Sequence, residues 1–276
     1  MNVLIVGLGL IGGSYAKGLK KVGYKIYGVD KSNKTLSYAL ENNIIDEGST
    51  NPIDFINKVD LIILGLYPNL ILPYLKEYGS YFTNNQIITD VCGTKSSFIY
   101  EVSKYIKNGE YISHHPMAGR EKIGIEYADE SIFNKANFLV TPLPSNTKNA
   151  IDVIMKIGHD LNFGKFFTMT PKYHDQMISF TSQLTHAIAV SLVNSDDNPD
   201  TKNYIGDSYR DLTRIAMINE NLWSQLFLEN KEFLIEKIDS FEKQLDILKQ
   251  SLINNDEDTL KELFINSTKI RKEMEK

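Results

Sequence analysis

Histidine is scarce in this chain, with 5 among 276 residues. Two of them stand side by side in Ser113-His114-His115-Pro116-Met117-Ala118-Gly119-Arg120-Glu121. The segment follows a run with strand character, and neighbouring side chains on a strand point to opposite faces. At most one of the two imidazoles can therefore face a cleft. Pro116 biases the residue before it towards an extended backbone. A neutral imidazole held there could accept a proton from a substrate hydroxyl as hydride departs. The alternative is a structural histidine bonded to a loop carbonyl.

Two further groups of polar residues recur at helical spacing. Ser179, Ser182, Gln183 and His186 share one face of a helix expected over 172–194, with Met177, Leu184, Ile188 and Leu192 opposite. Hydroxyl, amide and imidazole groups in one stripe suit a hydrogen-bonding wall for a polar ligand, or else a polar network between helices. In Gly206-Asp207-Ser208-Tyr209-Arg210-Asp211-Leu212-Thr213-Arg214, two arginines and two aspartates are each four residues apart. Arginines steadied by carboxylates can present a fixed fork to a substrate carboxylate. The other reading is a surface ladder of ion pairs.

A phosphate-binding turn precedes all of these. The apolar run Val3-Leu4-Ile5-Val6 leads straight into Gly7-Leu8-Gly9-Leu10-Ile11-Gly12, the pattern G-x-G-x-x-G. In a strand-to-helix turn the first glycine permits the tight bend. The second lets the backbone approach a pyrophosphate, and the third lets the helix lie close to the strand. The free N–H groups of the helix N-terminus then face the phosphates. A second apolar run, Lys25-Ile26-Tyr27-Gly28-Val29, ends at Asp30, where a carboxylate accepts hydrogen bonds from a ribose and repels a 2′-phosphate. The expected cofactor is NAD rather than NADP. The competing possibility is a domain of the same fold that has lost its dinucleotide.

The elements that must carry these residues are legible as well. Near-continuous apolar runs at 3–6, 25–29, 60–64, 86–89, 110–114 and 137–141 read as parallel strands buried on both faces. Helical signals lie between them, with Ser32 or Asn33 before 34–42 and Thr94 before 95–107. Alternation of this kind predicts an α/β fold, a Rossmann-type doubly wound sheet with ligands at the carboxyl ends of its strands. After Thr170-Pro171 the strand pattern stops. Helices are expected at 172–194, 207–218, 221–253 and 256–275, the last capped by Asp256 or Asn255. The expected domains are 1–168, which binds NAD, and 169–276, an all-helical domain for substrate binding and dimerisation. Leu234, Ile238, Phe241, Leu245, Leu248 and Leu252 form an apolar seam that wants a partner helix, from the same chain or from a second copy.

Composition bounds the rest. Apolar and charged fractions of 42% and 24% are those of a globular protein, and a net charge of −5 gives no electrostatic case for nucleic acid. The single cysteine, Cys92, fits a reducing cytoplasm, the expected location. No C-x-x-C or H-E-x-x-H pattern occurs, so no metal site is expected. The apolar N-terminus lacks the basic start of a signal peptide, and no apolar run is long enough to span a membrane.

Together the segments GLGLIGGS at 7–14, Asp30, DVCGTK at 90–95, HHPMAG at 114–119, SQLTHAIA at 182–189, YRDLTRIA at 209–216 and Asn221-Leu222-Trp223 resemble the prephenate/arogenate dehydrogenase family of tyrosine biosynthesis. The resemblance implies oxidative decarboxylation of a cyclohexadienol: hydride passes to NAD+, carbon dioxide leaves, and the ring becomes aromatic. It implies that His115 is the catalytic histidine on the ring hydroxyl and that Arg214 grips a substrate carboxylate. Ser182 and His186 would line the substrate, and Glu121 would belong to an ionic network at the entrance. Arg210 joins these as a candidate substrate contact. Arg120 stands where relatives often carry threonine, which bears on substrate choice. Thr94 is the candidate for a hydroxyl near the nicotinamide, where relatives often carry serine. The resemblance also implies a homodimer through the C-terminal helices, and a chain ending at 276 is expected to hold no fused mutase or regulatory domain. The expected reaction converts prephenate to 4-hydroxyphenylpyruvate. Alternatives are arogenate as substrate, a reductase of the β-hydroxyacid type, or an NAD-binding regulator without turnover.

Overall fold

The computed structural model describes residues 1–275, the side chain of Ser103 apart. Six strands form one parallel sheet in the order β3-β2-β1-β4-β5-β6: β1 Asn2–Val6, β2 Lys25–Val29, β3 Glu47–Ser49, β4 Leu61–Leu64, β5 Ile87–Asp90 and β6 Glu110–Tyr111. This is the doubly wound arrangement, and the strand order reverses between β1 and β4, the position at which sheets of this kind take their ligands. Alternation along β1 feeds two cores. Val3 and Ile5 pack with Tyr15 and Leu19 of helix α1 (Leu10–Lys21) and with Ile154 and Ile157 of α5 (Lys148–Asp160). Leu4 and Val6 pack on the other face with Phe55 of α3 (Ile53–Ile56) and with Ile71 and Leu75 of α4 (Pro68–Tyr78). Helix α2 (Asn33–Glu41) begins as expected, with the Ser32 hydroxyl accepting from the Thr35 N–H at 3.2 Å.

Several elements depart from the sequence reading, each for a local reason. The run at 110–114 is not one strand. After β6 the chain leaves the parallel sheet at Ile112, and β7 (Ser113–Pro116) pairs antiparallel with β8 (Asn137–Thr141), which pairs in parallel with β9 (Lys165–Thr168). The buried Asp90–Lys95 pair explains the exit. Asp90 accepts the hydroxyls of Tyr111 and Ser113, and Lys95 Nζ donates to the His114 carbonyl at 2.7 Å. Strand 137–141 therefore belongs to a separate three-stranded sheet, not to the doubly wound one.

The α-helix expected over 95–107 does not form; a short 3₁₀ helix occupies Val102–Lys104. Two bonds four residues apart, from Ile99 to Lys95 and from Ile106 to Val102, are outnumbered by bonds three residues apart, from Phe98 to Lys95, Glu101 to Phe98, Lys104 to Glu101 and Tyr105 to Val102. That tight spacing stacks Ile99, Val102 and Tyr105 on one side, as a 3₁₀ path does.

The helix expected over 172–194 is α6 (Pro171–Ile178), a π-helical turn at Ser179–Gln183, and α7 (Leu184–Asn194). Ser179 and Thr181 donate their hydroxyls to the carbonyls of Gln176 and Met177, competing with the helical ladder. The expected stretch 207–218 shortens to α8 (Asp207–Thr213) and a 3₁₀ turn at Arg214–Ala216. The stretch 221–253 is two helices, α9 (Glu220–Glu229) and α10 (Lys231–Ile253), parted at Asn230. Asn230 sits at the break because its amide donates to the Asp175 carbonyl (2.9 Å) and to Gln183 Oε1 (2.7 Å).

The backbone divides into two compact units, 1–230 and 231–276. The second is a helical hairpin of α10 and α11 (Glu257–Glu273), whose N-cap is Asp256, accepting from the Thr259 N–H at 3.0 Å. Along the seam Leu234 is buried, whereas Phe241, Leu245 and Leu252 are exposed.

Candidate active site

The β1–α1 turn has the geometry its glycines predict. Gly7 sits at φ +87°, and a Cβ there would stand 2.5 Å from the Gly65 carbonyl oxygen. A Cβ on Gly12 would collide with the carbonyl oxygen of Gly7. At Gly9 nothing lies within 4 Å of the Cβ position, so open backbone faces outward there. Leu8 is buried in the core, Leu10 and Ile11 are half-buried, and α1 starts at Leu10 without a side-chain cap. Its first N–H groups are thus free for phosphate oxygens. Asp30, at the end of β2, accepts the Leu8 N–H through Oδ2 and the Ser32 N–H through Oδ1, both at 2.9 Å. The carboxylate thereby braces the glycine turn and keeps lone pairs for a ribose. These residues fit a dinucleotide.

The histidine pair divides as strand geometry requires. His114 is fully buried, its ring between the Tyr15 hydroxyl and the Thr89 hydroxyl, each at 2.7 Å. It is a core residue. His115 is half-buried, and its Nδ1 lies 2.9 Å from Nε2 of His174. His174 Nδ1 lies 2.8 Å from Asp175 Oδ1. A Cβ on Gly93 would stand 3.8 Å from His115 Nε2, so the glycine leaves that nitrogen uncovered by a side chain. Burial lowers the pKa of His115 well below its ordinary value, and His174, Lys95 and His114 act in the same direction. Burial likewise lowers His174, partly opposed by its bond to Asp175. All three imidazoles are neutral at pH 7.

His174 and Asp175 were not singled out from the sequence. They lie on α6 in Lys172-Tyr173-His174-Asp175, which carries no motif, and only the fold brings them to β7. Asp90 and Lys95 do open and close the DVCGTK segment at 90–95, but only the fold shows their fully buried ion pair (2.8 Å), which anchors the strand bearing His115. Burial by itself would raise the Asp90 pKa, but Lys95 and the hydroxyls of Ser113 and Tyr111 outweigh it and hold the carboxyl low.

A second cluster gathers the helical candidates. Arg214 donates to Glu121 Oε1, an exposed pair of tenths to about 1 kcal/mol. His186 stacks on Trp223 of α9, with ring centroids 3.7 Å apart and planes at 28°. Its Nδ1–H donates to the Ser182 carbonyl at 2.9 Å, which leaves Nε2 as an acceptor. Burial lowers the His186 pKa, against the Ser182 carbonyl and Glu121 and in line with Arg214. Helix α9 touches both clusters, because its Leu226 lies 3.3 Å from the Cβ position of Gly93.

The stripe expected on 172–194 is split by the π turn. Ser179 and Gln183 are buried, with Gln183 Nε2 donating to the Leu226 carbonyl at 2.8 Å, the polar network between helices. Met177, expected on the apolar face, is exposed. Arg210 pairs with Asp207 at 3.0 Å on the surface, the ladder arrangement. Arg120 donates to Asp129 at 2.7 Å and Ser131 at 3.3 Å. Thr94 is buried, and its hydroxyl donates to Glu229 Oε2 at 2.6 Å.

Comparison with known proteins places this arrangement. Residues 15–163 match the nucleotide-binding domain of prephenate dehydrogenase, and residues 170–266 match its dimerization domain. A prephenate dehydrogenase from Lactococcus lactis subsp. cremoris is 31% identical over 285 residues, covering 99% of this chain and 77% of its own. A solved prephenate dehydrogenase from A. aeolicus, in complex with hydroxyphenyl propionate and NAD+, is 31% identical with a TM-score of 0.91, covering 99% of this chain and 98% of its own. Synechocystis arogenate dehydrogenase is 25% identical with a TM-score of 0.84, covering 99% and 100%. With both of its domains matched in order, over a parallel sheet and a helical wall of the same build, the chain belongs to the prephenate dehydrogenase family.

Proposed function

We propose that this chain is an NAD+-dependent prephenate dehydrogenase, converting prephenate to 4-hydroxyphenylpyruvate in tyrosine biosynthesis. The observation that carries the reading is His115. It is a neutral imidazole at the carboxyl side of the sheet, with Nε2 left uncovered at Gly93. A dinucleotide held at the Gly7–Gly12 turn and Asp30 would supply the acceptor for the hydride lost by the hydroxyl-bearing ring carbon. His115 takes the hydroxyl proton at Nε2 as the carbon–oxygen bond becomes a carbonyl. The ring carbon–carboxylate bond then breaks, its electron pair enters the ring, and carbon dioxide departs. The oxygen ends as a phenolate and recovers the proton from His115, so the imidazole returns neutral. Aromatisation drives the step, and the protein contributes orientation and polarisation.

In this reading Arg214 holds the ring carboxylate, Glu121 steadies Arg214, and Ser182 and His186 line the substrate. The glycine turn, Gly7 to Gly12, and Asp30 hold the dinucleotide. The functional division falls between 168 and 169. The exposed residues Phe241, Leu245 and Leu252 support a homodimer closed through the C-terminal helices. The single thiol, Cys92, is free and buried, which supports a reducing cytoplasm as the setting. Among the described residues no helix is long and apolar enough to cross a membrane. The test is NADH formation by the purified chain with prephenate and with arogenate in parallel. Turnover of prephenate sustains the proposal. Turnover of arogenate alone keeps the mechanism and changes the substrate, and turnover of neither refutes both.

A further inference from the structure

The contact between His115 and His174 does more than pack two rings. A carboxylate can only accept, so His174 must place its proton on Nδ1 to satisfy the 2.8 Å bond to Asp175. A neutral His174 then offers a lone pair at Nε2. The 2.9 Å contact with His115 is satisfied only if His115 donates through Nδ1–H. Neutral His115 is thereby left with a bare lone pair on Nε2, the nitrogen beside Gly93.

Asp175 itself is fixed in place. Oδ1 accepts the backbone N–H of Lys95 at 2.9 Å and Oδ2 that of Ser96 at 2.7 Å, and Asn230 holds the Asp175 carbonyl at 2.9 Å. His174 is fully buried and Asp175 nearly so, which excludes water from the chain of bonds. Lys95 Nζ, tied to Asp90 and to the His114 carbonyl, is the nearby cation. It disfavours a charged imidazole at either position.

We propose that His174 and Asp175 are positioning residues that set the tautomer of His115, so that its basic nitrogen faces the reacting hydroxyl. The proposal rests on the dehydrogenase reading for its purpose, and on hydrogen-bond donor and acceptor logic for its content. In the reaction the substrate proton moves to His115 Nε2. The imidazolium formed still donates through Nδ1–H to His174, whose own proton stays on Nδ1 against Asp175. No proton travels further than His115, and no charge is left on His174.

The direct test is long-range ¹H–¹⁵N correlation of the ring nitrogens in the full-length chain at neutral pH. With only 5 histidines, assignment by single substitution is tractable. The expected result is a proton on Nδ1 and a bare Nε2 in both His115 and His174. A proton on Nε2 of His115 overturns the proposal. This measurement needs no substrate, so it can fail while the enzyme turns over prephenate, or succeed when no cyclohexadiene is turned over.

A kinetic pair adds a second readout. His174→Leu removes the acceptor and His174→Gln restores one at the ε position. We expect kcat of the Leu variant to fall about 10²-fold or more, with KM within about twofold, as loss of a base in its working tautomer does. The Gln variant should recover at least about tenfold of that loss. Equal kcat in the two variants would overturn the assignment.

Discussion

Acid should destabilise this protein through a residue that takes no part in its chemistry. His114 is fully buried between the Tyr15 and Thr89 hydroxyls. Burial lowers its pKa from 6.5 to about 3, with Lys95 adding to the effect and Asp90 opposing it. In the unfolded chain the same ring binds a proton below pH 6.5. Between the two values the unfolded state holds more protons than the folded one. Stability is therefore complete above pH 6.5 and is lost as pH falls towards 3. Each pH unit in that window removes about 1.4 kcal/mol per group, so lowering the pH to about 5 removes roughly 2 kcal/mol through His114 alone. That is a large share of the ~5–15 kcal/mol that holds a domain folded. His115 and His174, both shifted downward, act with the same sign. The assay is urea unfolding at about pH 7.5 and about pH 5, at one protein concentration, for the parent chain and for His114→Gln. Glutamine can keep polar contacts but does not titrate. The parent should lose roughly 2 kcal/mol more than the variant between the two conditions. An equal loss in both would refute the reasoning, because the acid sensitivity would then lie elsewhere.

Other outcomes follow from the site. His115→Asn should lower kcat by roughly 10²–10⁴-fold with little change in KM, measured by NADH formation with prephenate; a variant within tenfold of the parent would remove His115 from the proton step. Arg214→Gln should raise KM by roughly 10- to 150-fold, the equivalent of a lost charged hydrogen bond of ~1.5–3 kcal/mol; a fall in kcat at constant KM would show that Arg214 does not bind the ground-state carboxylate. Asp30→Ser should narrow the preference for NAD+ over NADP+ and also weaken both, since the Leu8 and Ser32 N–H groups lose their acceptor; an unchanged ratio of the two KM values would assign the preference to another residue. If the proposed homodimer closes through the exposed seam, Leu245→Asp should shift the chain towards monomer in sedimentation analysis, and a mass distribution like the parent's would refute a dimer contact at the seam.

The parts of the molecule that were legible in the sequence are those whose signal is local. A strand buried on both faces reads as an apolar run, and the turn after β1 can be built from few residues besides glycine. The resemblance reached His115 because its neighbours in sequence form a motif. What escaped is non-local. His174 looks like any polar residue on an amphipathic helix until α6 is laid against β7. Arg210 and Arg214 look equivalent along the chain, yet one meets a carboxylate three residues away and the other meets Glu121 from a distant loop. The π turn at Ser179–Gln183 arises from hydroxyls competing for carbonyls, which hydrophobic periodicity does not register. The α-helix expected at 95–107 gives way to turns and a short 3₁₀ helix for a similar reason, because an apolar spacing of three and one of three to four differ little over a dozen residues.

The stacking of Trp223 on His186 has an optical consequence. The chain has one tryptophan, and that indole lies 3.7 Å, centroid to centroid, from an imidazole of the candidate site. All indole emission from the native protein therefore originates beside His186 of the candidate site, with no second fluorophore of its kind to subtract. An imidazolium quenches indole more strongly than neutral imidazole does. Protonation of His186, or a ligand bound beside the pair, would thus change emission intensity, and the proposed substrate site can be probed in the unmodified protein without turnover.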